Sequence, residues 1–169
     1  QKGVPGSIGG ITSGLGIMLN WDTRDHLYFP SKGHYHQLYA IRYTETIASD
    51  YDYNCLRVDL RRYEKLYANH ILAMQAYFQS LDGNPPFYKI GKLGGSNLMR
   101  GYFEGRFRDK HLIVFQLDYR IPLTRFLGLD FFASCGDVSS RLNGIRFSTL
   151  KGTYGAGLRF KLLEAQKIN

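Results

Sequence analysis

GKLGGSNLMRGYFEGRFRDK (91–110), followed at once by HLIVFQLDYRI (111–121), decides the fold. The first segment has the composition of a loop. Glycines at 91, 94, 95, 101 and 105 free the backbone for positive φ, and Lys92, Arg100, Arg106, Arg108 and Lys110 load it with charge. A connection this long without structure of its own is normally functional or disordered. Tyr102, Phe103 and Phe107 speak against disorder, so the reading is a long packed loop that presents cations. The second segment alternates, with Ile113, Phe115, Leu117 and Tyr119 opposite Gln116, Asp118 and Arg120, and Pro122 ends it. That is a strand with one apolar and one polar face.

The same period of two runs outward in both directions. Before the loop, Leu15, Ile17, Leu19 and Trp21 oppose Gly14, Gly16, Asn20 and Asp22. A strand over about Tyr35–Thr46 sets Tyr39, Ile41 and Tyr43 against His36 and Arg42, a mixture that leaves its facing open. Leu56, Val58 and Leu60 oppose Arg57, Asp59 and Arg61 within Tyr51–Glu64, and Leu72, Met74, Ala76 and Phe78 oppose Gln75, Tyr77 and Gln79 within His70–Ser80. After the loop, Leu127, Leu129, Phe131, Ala133 and Cys135 oppose Asp130, Phe132, Ser134 and Gly136. The last strand, about Thr153–Leu163, sets Tyr154, Ala156, Leu158 and Phe160 against Gly155, Gly157 and Arg159. Between the first two strands, DTRDHLYFPSKG (22–33) reads as a turn in which Asp22 and Asp25 bond local amides. Pro85 and Pro86 forbid ladder pairing ahead of the long loop.

Seven strands are counted, and an eighth has room in 1–13 or in Arg141–Leu150. The chain is read as one β domain over 1–169, with 1–13 as a mobile lead-in and 83–110 as the long loop.

Alternation suits a soluble sandwich as well as a membrane barrel, so the polar parity has to decide. It mixes charges of both signs with Gly14, Gly16, Gly136, Gly155 and Gly157. Solvated strand faces avoid glycine, which weakens a strand. Small residues among ion pairs suit a crowded, wet barrel interior, while Trp21, Tyr119 and Tyr154 near strand ends suit an interfacial girdle. The expected arrangement is polar inside and lipid outside: an all-β, antiparallel transmembrane β-barrel, or part of one with about seven to eight strands, carrying a long packed loop.

Composition agrees. The 169 residues carry 15% aromatics, 19 Gly and a mean hydropathy of −0.29, and no run approaches the apolar length of a membrane helix. The opening QKGVPGSIGG lacks the apolar core of a signal peptide. The formal charge of +8 is spread over strands and loops with no basic stripe, which argues against nucleic acid.

The sequence contains no serine elbow, phosphate loop or zinc spacing, so no catalytic, cofactor or metal residue is assigned. His34 and His36 share a strand face without a third ligand nearby and read as structural. Cys55 and Cys135 fall on opposite parities and read as packed thiols.

LGGSNLMRGYFEGRFRD (93–109), WDTRDHLYFPSKG (21–33) and YGAGLRF (154–160) resemble the C-terminal barrel of the BamA/TamA superfamily, the bacterial surface antigen family. The likeness runs from about Gly14 to Leu163, and its most specific part is Arg100-Gly101-Tyr102 behind Gly94-Gly95. The resemblance implies that the loop folds into the barrel and that Arg100 reaches Asp118 on the inner wall. It also implies a Phe-x-Asp-x-Gly strand, whose counterpart here is Phe132-Ala133-Ser134-Cys135-Gly136, with Ser134 in place of the acid. Asp130 or Asp137 is then the candidate second partner, because a guanidinium inside a barrel needs one. Family barrels carry more strands after the loop than the three read here, which makes this chain a portion of a larger barrel or one completed by strands from elsewhere.

The implied function is non-enzymatic: a bacterial outer-membrane barrel that assists protein insertion or translocation, in contact with outer-membrane lipid and with substrate barrels or complex subunits. The alternative is a barrel anchor or structural subunit working with a partner protein.

Overall fold

The computed structural model describes residues 3–124 and 126–160. Seven long strands form one antiparallel sheet: β1 (Gly14–Asp22), β2 (Gly33–Tyr43), β3 (Tyr53–Lys65), β4 (Ile71–Gly83), β7 (His111–Pro122), β8 (Leu127–Ser139) and β9 (Lys151–Phe160). Two short strands, β5 (Gly91–Leu93) and β6 (Phe107–Asp109), pair only with each other. The long strands lie in the order β1-β2-β3-β4-β7-β8-β9, so each pairs with its nearest long neighbour in sequence. Among the described residues β1 and β9 are not paired with one another, and the sheet is open.

The two faces separate as a lipid-facing barrel wall requires. On one face Leu15, Ile17, Leu19 and Trp21 of β1, Leu56 and Leu60 of β3, and Phe115 and Leu117 of β7 are exposed, together with Phe131, Leu158 and Phe160. On the other, Asp59, Gln79, Asp130 and Ser134 are buried. A water-soluble domain would bury the first set and solvate the second; here the apolar residues form the belt. The register carries this across strands, with Asp118 opposite Phe132 and Asp130 opposite Gly157 on the inner side. It also settles β2. Tyr39 lies opposite Arg57 and Tyr43 opposite Tyr53, so the tyrosines face inward and His36, opposite Leu60, faces outward.

The inner glycines of β1 make room for this packing. A Cβ on Gly16 would sit 2.1 Å from the carbonyl oxygen of Ala40, and one on Gly14 would sit 2.7 Å from Ile41 and Tyr43 side-chain carbons.

Four expectations are corrected. The long loop is not structureless: β5 and β6 make a small hairpin inside it, pairing Gly91 with Asp109 and Leu93 with Phe107. The inner face is not wet throughout either. Leu112 and Val114 share the inward parity of Asp118, and Leu93 and Met99 of the loop cover them, giving a dry cluster in which all four are at most 1% exposed. Residues 3–13, expected as a mobile lead-in, are tied to the loop end. The Asp50 amide donates to the Ile11 carbonyl at 2.9 Å, the Tyr51 hydroxyl to that of Gly9 at 2.6 Å, and the Phe87 amide to that of Pro5 at 2.9 Å. No eighth strand occurs in 3–13 or in 141–150, where Leu142–Gly144 and Phe147–Thr149 are short 3-10 turns. The last three positions of the expected final strand, 161–163, lie outside the described residues.

The connections 44–52, 84–110 and 140–150 gather at one end of the sheet, and 23–32, 66–70 and the described residues 123, 124 and 126 at the other. In the latter set Asp25 accepts from the amides of Ser31 at 2.8 Å and Lys32 at 3.2 Å, and Asp22 from that of Arg24 at 3.0 Å, the local bonds expected of a turn.

Candidate functional site

The loop between β4 and β7 turns on four residues at positive φ, three of them glycines. Gly94 (φ 111), Gly95 (φ 93), Met99 (φ 56) and Gly101 (φ 106) all lie in the left-handed half of backbone space. At Gly94 the requirement is also steric, because a Cβ would stand 2.3 Å from the Phe103 carbonyl oxygen. The bend is closed by backbone bonds from Gly94 to the Leu98 carbonyl at 3.1 Å and from Gly95 to that of Tyr102 at 2.9 Å.

This shape lays the loop on the inner face of β7 and β8. Met99 is fully buried, and its amide donates to Gln116 Oε1 at 2.7 Å. The Gln116 carboxamide then donates to the Asn97 carbonyl at 3.0 Å and to Gln75 Oε1 at 2.9 Å. Gly136 of β8 leaves the space that Met99 occupies, since a Cβ there would lie 2.8 Å from the Met99 sulfur and 2.6 Å from the Ile113 carbonyl oxygen.

Arg100 follows directly and crosses between two strands. Its Nη1 donates to Asp130 Oδ2 at 2.9 Å, and its Nη2 donates to Asp118 Oδ1. Asp118 also accepts a longer contact from Arg120 at 3.4 Å. The guanidinium lies over the Phe132 ring, 4.2 Å from its centroid. That ring in turn lies against Gly155 of β9, where a Cβ would meet it at 2.6 Å. Charge-assisted bonds to two carboxylates and an aromatic face below satisfy a cation lifted from water.

The residues singled out from sequence are placed as follows. Arg100, Asp118 and Asp130 meet, and Gly94, Gly95 and Gly101 shape the loop that brings Arg100 there. Tyr102 packs edge-on to Phe107 with centroids 5.4 Å apart. Gly136 lies under Met99. Among the described residues Ser134 does not bond Arg100; its hydroxyl shares a 2.6 Å hydrogen bond with that of Thr153. Asp137 is engaged elsewhere, by Lys151 at 2.5 Å and by the Thr149 hydroxyl. Gln116, Phe132, Gly155 and Thr153 belong to the site without having been assigned to it from sequence. Their common inward parity on three adjacent strands was the available signal.

Outside the site, His34 and His36 stack at 4.7 Å on the outer face with Trp21 edge-on to both, and Cys55 and Cys135 are free thiols.

Comparison with known proteins agrees with this architecture. A sequence profile of the Omp85 superfamily domain matches residues 9–162. No curated protein matches the chain. A similar fold occurs in the crystal structure of BamA from Haemophilus ducreyi lacking POTRA domains 1–3, with a TM-score of 0.75 at 14% identity. The alignment covers 87% of this chain and 36% of that one, so the present chain spans about a third of the BamA chain.

Proposed function

The chain belongs to the Omp85 superfamily and is a bacterial outer-membrane protein, and from that premise we propose that it forms part of a barrel that assists insertion of other proteins by offering a strand seam. The observation that carries this reading is the uneven bracing of the sheet. The loop, through Arg100, Met99 and the β5–β6 hairpin, packs on β7 and β8 and stiffens that side. At the opposite side the inner face of β1 is thinned by Gly14 and Gly16, which pack closely on Ile41 and Tyr43 of β2. Backbone amides in lipid must be paired, and a thin, unbraced strand can exchange one ladder partner for another at low cost. Substrate strands would add at a seam on that less braced side by backbone hydrogen bonding. No nucleotide or cofactor enters the mechanism.

The lumen clamp is part of the same proposal. Arg100 holds the loop against Asp118 and Asp130 so that the braced side keeps its curvature while the seam opens.

The test is assisted folding. The protein is reconstituted in lipid vesicles, and the folding rate of a denatured outer-membrane barrel is followed by its heat-modifiable gel shift. An Ile17→Cys variant, in a background with Cys55 and Cys135 replaced by Ala, is probed for disulfide crosslinks to cysteines in the substrate's strands. Faster folding together with crosslinks at position 17 supports insertion. Unchanged folding without crosslinks overturns it and favours the barrel-anchor reading.

A further inference from the structure

At one level of the sheet the inward position carries a polar side chain on one strand after another. In register, Asp22 of β1 stands opposite Tyr35 of β2, Tyr35 opposite Arg61 of β3, Arg61 opposite Gln75 of β4, and Gln75 opposite Gln116 of β7. Side chains directly opposite on one face are within reach of each other, and this row is linked from end to end.

The links have a direction. The Met99 amide of the loop donates to Gln116 Oε1 at 2.7 Å, Gln116 Nε2 donates to Gln75 Oε1 at 2.9 Å, and Gln75 Nε2 donates to Asp59 Oδ1 at 2.9 Å. A carboxamide has one donor end and one acceptor end, so the donor supplied by Met99 orients both glutamines. Asp59 is buried, and Arg61 holds it through Nε at 3.0 Å and Nη2 at 2.6 Å. The Arg61 guanidinium lies 5.5 Å from the Tyr35 ring centroid, and that of Arg24 lies 4.7 Å from the same centroid. Arg24 closes the row on Asp22, the last residue of β1, at 2.9 and 2.6 Å. The loop that rests on β7 and β8 is joined in this way to the β1–β2 hairpin across the sheet.

We propose that the row couples the seating of the loop to the geometry of the β1–β2 hairpin. With the loop seated, Gln116 and Gln75 keep one orientation, Gln75 supports the buried Asp59 carboxylate, and Arg61 stays drawn over Tyr35. When Met99 withdraws, Gln116 Oε1 loses its donor and both carboxamides are free to turn. A turned Gln75 presents oxygen to oxygen at Asp59, so Arg61 and the Tyr35 contact behind it shift and the hold on Asp22 weakens. Loop and hairpin are then two ends of one element with two arrangements, which is what coupling between separated sites requires. Release of the loop would loosen the less braced side of the sheet; its use in insertion rests on the seam reading above, whereas the coupling itself does not.

Amide hydrogen exchange of the protein in micelles, with no substrate present, reads both ends. The Met99 amide reports the loop, and the Thr23 amide, which donates to the His34 carbonyl at 2.9 Å, reports the hairpin. The Leu66 amide, bonded to the His70 carbonyl at 2.7 Å outside the row, is the control for general loosening. Arg100→Ala should release Met99 and speed exchange at Thr23 by about fivefold or more with Leu66 unmoved. In a Gln75→Leu background, which breaks the row without touching either end, the same substitution should leave Thr23 unchanged. The proposal is overturned if release of Met99 leaves Thr23 protected, if Leu66 accelerates equally, or if Thr23 accelerates alike in both backgrounds. Where Arg100→Ala leaves Met99 protected, or a variant does not fold, Tyr35→Leu decides from the other end. Because coupling acts in both directions, it should speed exchange at Met99 with Leu66 unmoved, and an unchanged Met99 overturns the proposal. Folding assistance is measured separately with substrate, so either idea can fail alone.

Discussion

The Phe132 ring separates Arg100 from Gly155: the guanidinium lies 4.2 Å from the ring centroid on one side, and the other side closes on a position where even a methyl group would be 2.6 Å away. Loop, β8 and β9 are therefore stacked in one column, and the position of Arg100 depends on a residue of β9 that it does not touch.

Gly155→Ala should displace the Phe132 ring and loosen Arg100, at a cost of roughly 1–3 kcal/mol for overpacking. Phe132→Leu in the same chain should recover part of that loss, because the smaller side chain vacates the contested space. A double-mutant cycle on denaturant midpoints in micelles checks this; strict additivity of the two changes would show that the column is not coupled.

Arg100→Ala leaves Asp118 and Asp130 facing each other's strands without their shared cation. Because the Arg100 side chain is 33% exposed, the cost should fall toward the lower end of the roughly 3–5 kcal/mol seen for broken buried pairs. The loop should undock, exposing Arg106, Arg108 and Lys110 to trypsin. Cleavage there at the parent's rate would contradict the clamp.

Gly136 and Gly157 lie on the inner parity of neighbouring strands but in different surroundings. An added Cβ at Gly136 meets the Ile113 carbonyl oxygen and the Met99 sulfur, whereas at Gly157 it meets nothing within 4 Å. Gly136→Ala should destabilise by roughly 1–3 kcal/mol and speed hydrogen exchange at the Met99 amide. Gly157→Ala should change stability by no more than about 0.5 kcal/mol. Equal effects would mean that the loop does not rest on Gly136.

Acid should loosen the 23–32 turn. Burial alone would raise the Asp25 carboxyl, but the hydrogen bonds from the Ser31 hydroxyl and amide and the Lys32 amide outweigh it and hold the group below its ordinary value. A depressed carboxyl contributes stability above its unfolded pKa and loses it as pH falls through the folded one. The loss is thus confined to the range below about pH 4. Melting curves from pH 7 downward should drop more steeply there for the parent than for Asp25→Asn, which lacks the ionisation; parallel curves would remove Asp25 as the cause.

Much of this architecture was legible because it is local. A period of two is written into each strand, so Ile113, Phe115 and Leu117 against Gln116 and Asp118 disclose a two-faced wall without knowledge of any neighbour. The glycines mixed with charges told which face was inner, and the resemblance of Arg100-Gly101-Tyr102 behind Gly94-Gly95 to a family motif implied an inserted loop. The tertiary structure alone decided where that loop rests. Whether Asp130 or Asp137 answers Arg100 depends on strand register and on the path of the hairpin, and adjacent inward and outward positions can differ by one residue in sequence while engaging unrelated partners. Phe132, Gln116 and Gly155 joined the site for the same reason: residues far apart along the chain became neighbours only when β7, β8 and β9 paired. The dry patch of Leu93, Met99, Leu112 and Val114 was hidden by the same limit, since an apolar side chain on a polar parity shows its purpose only once something covers it.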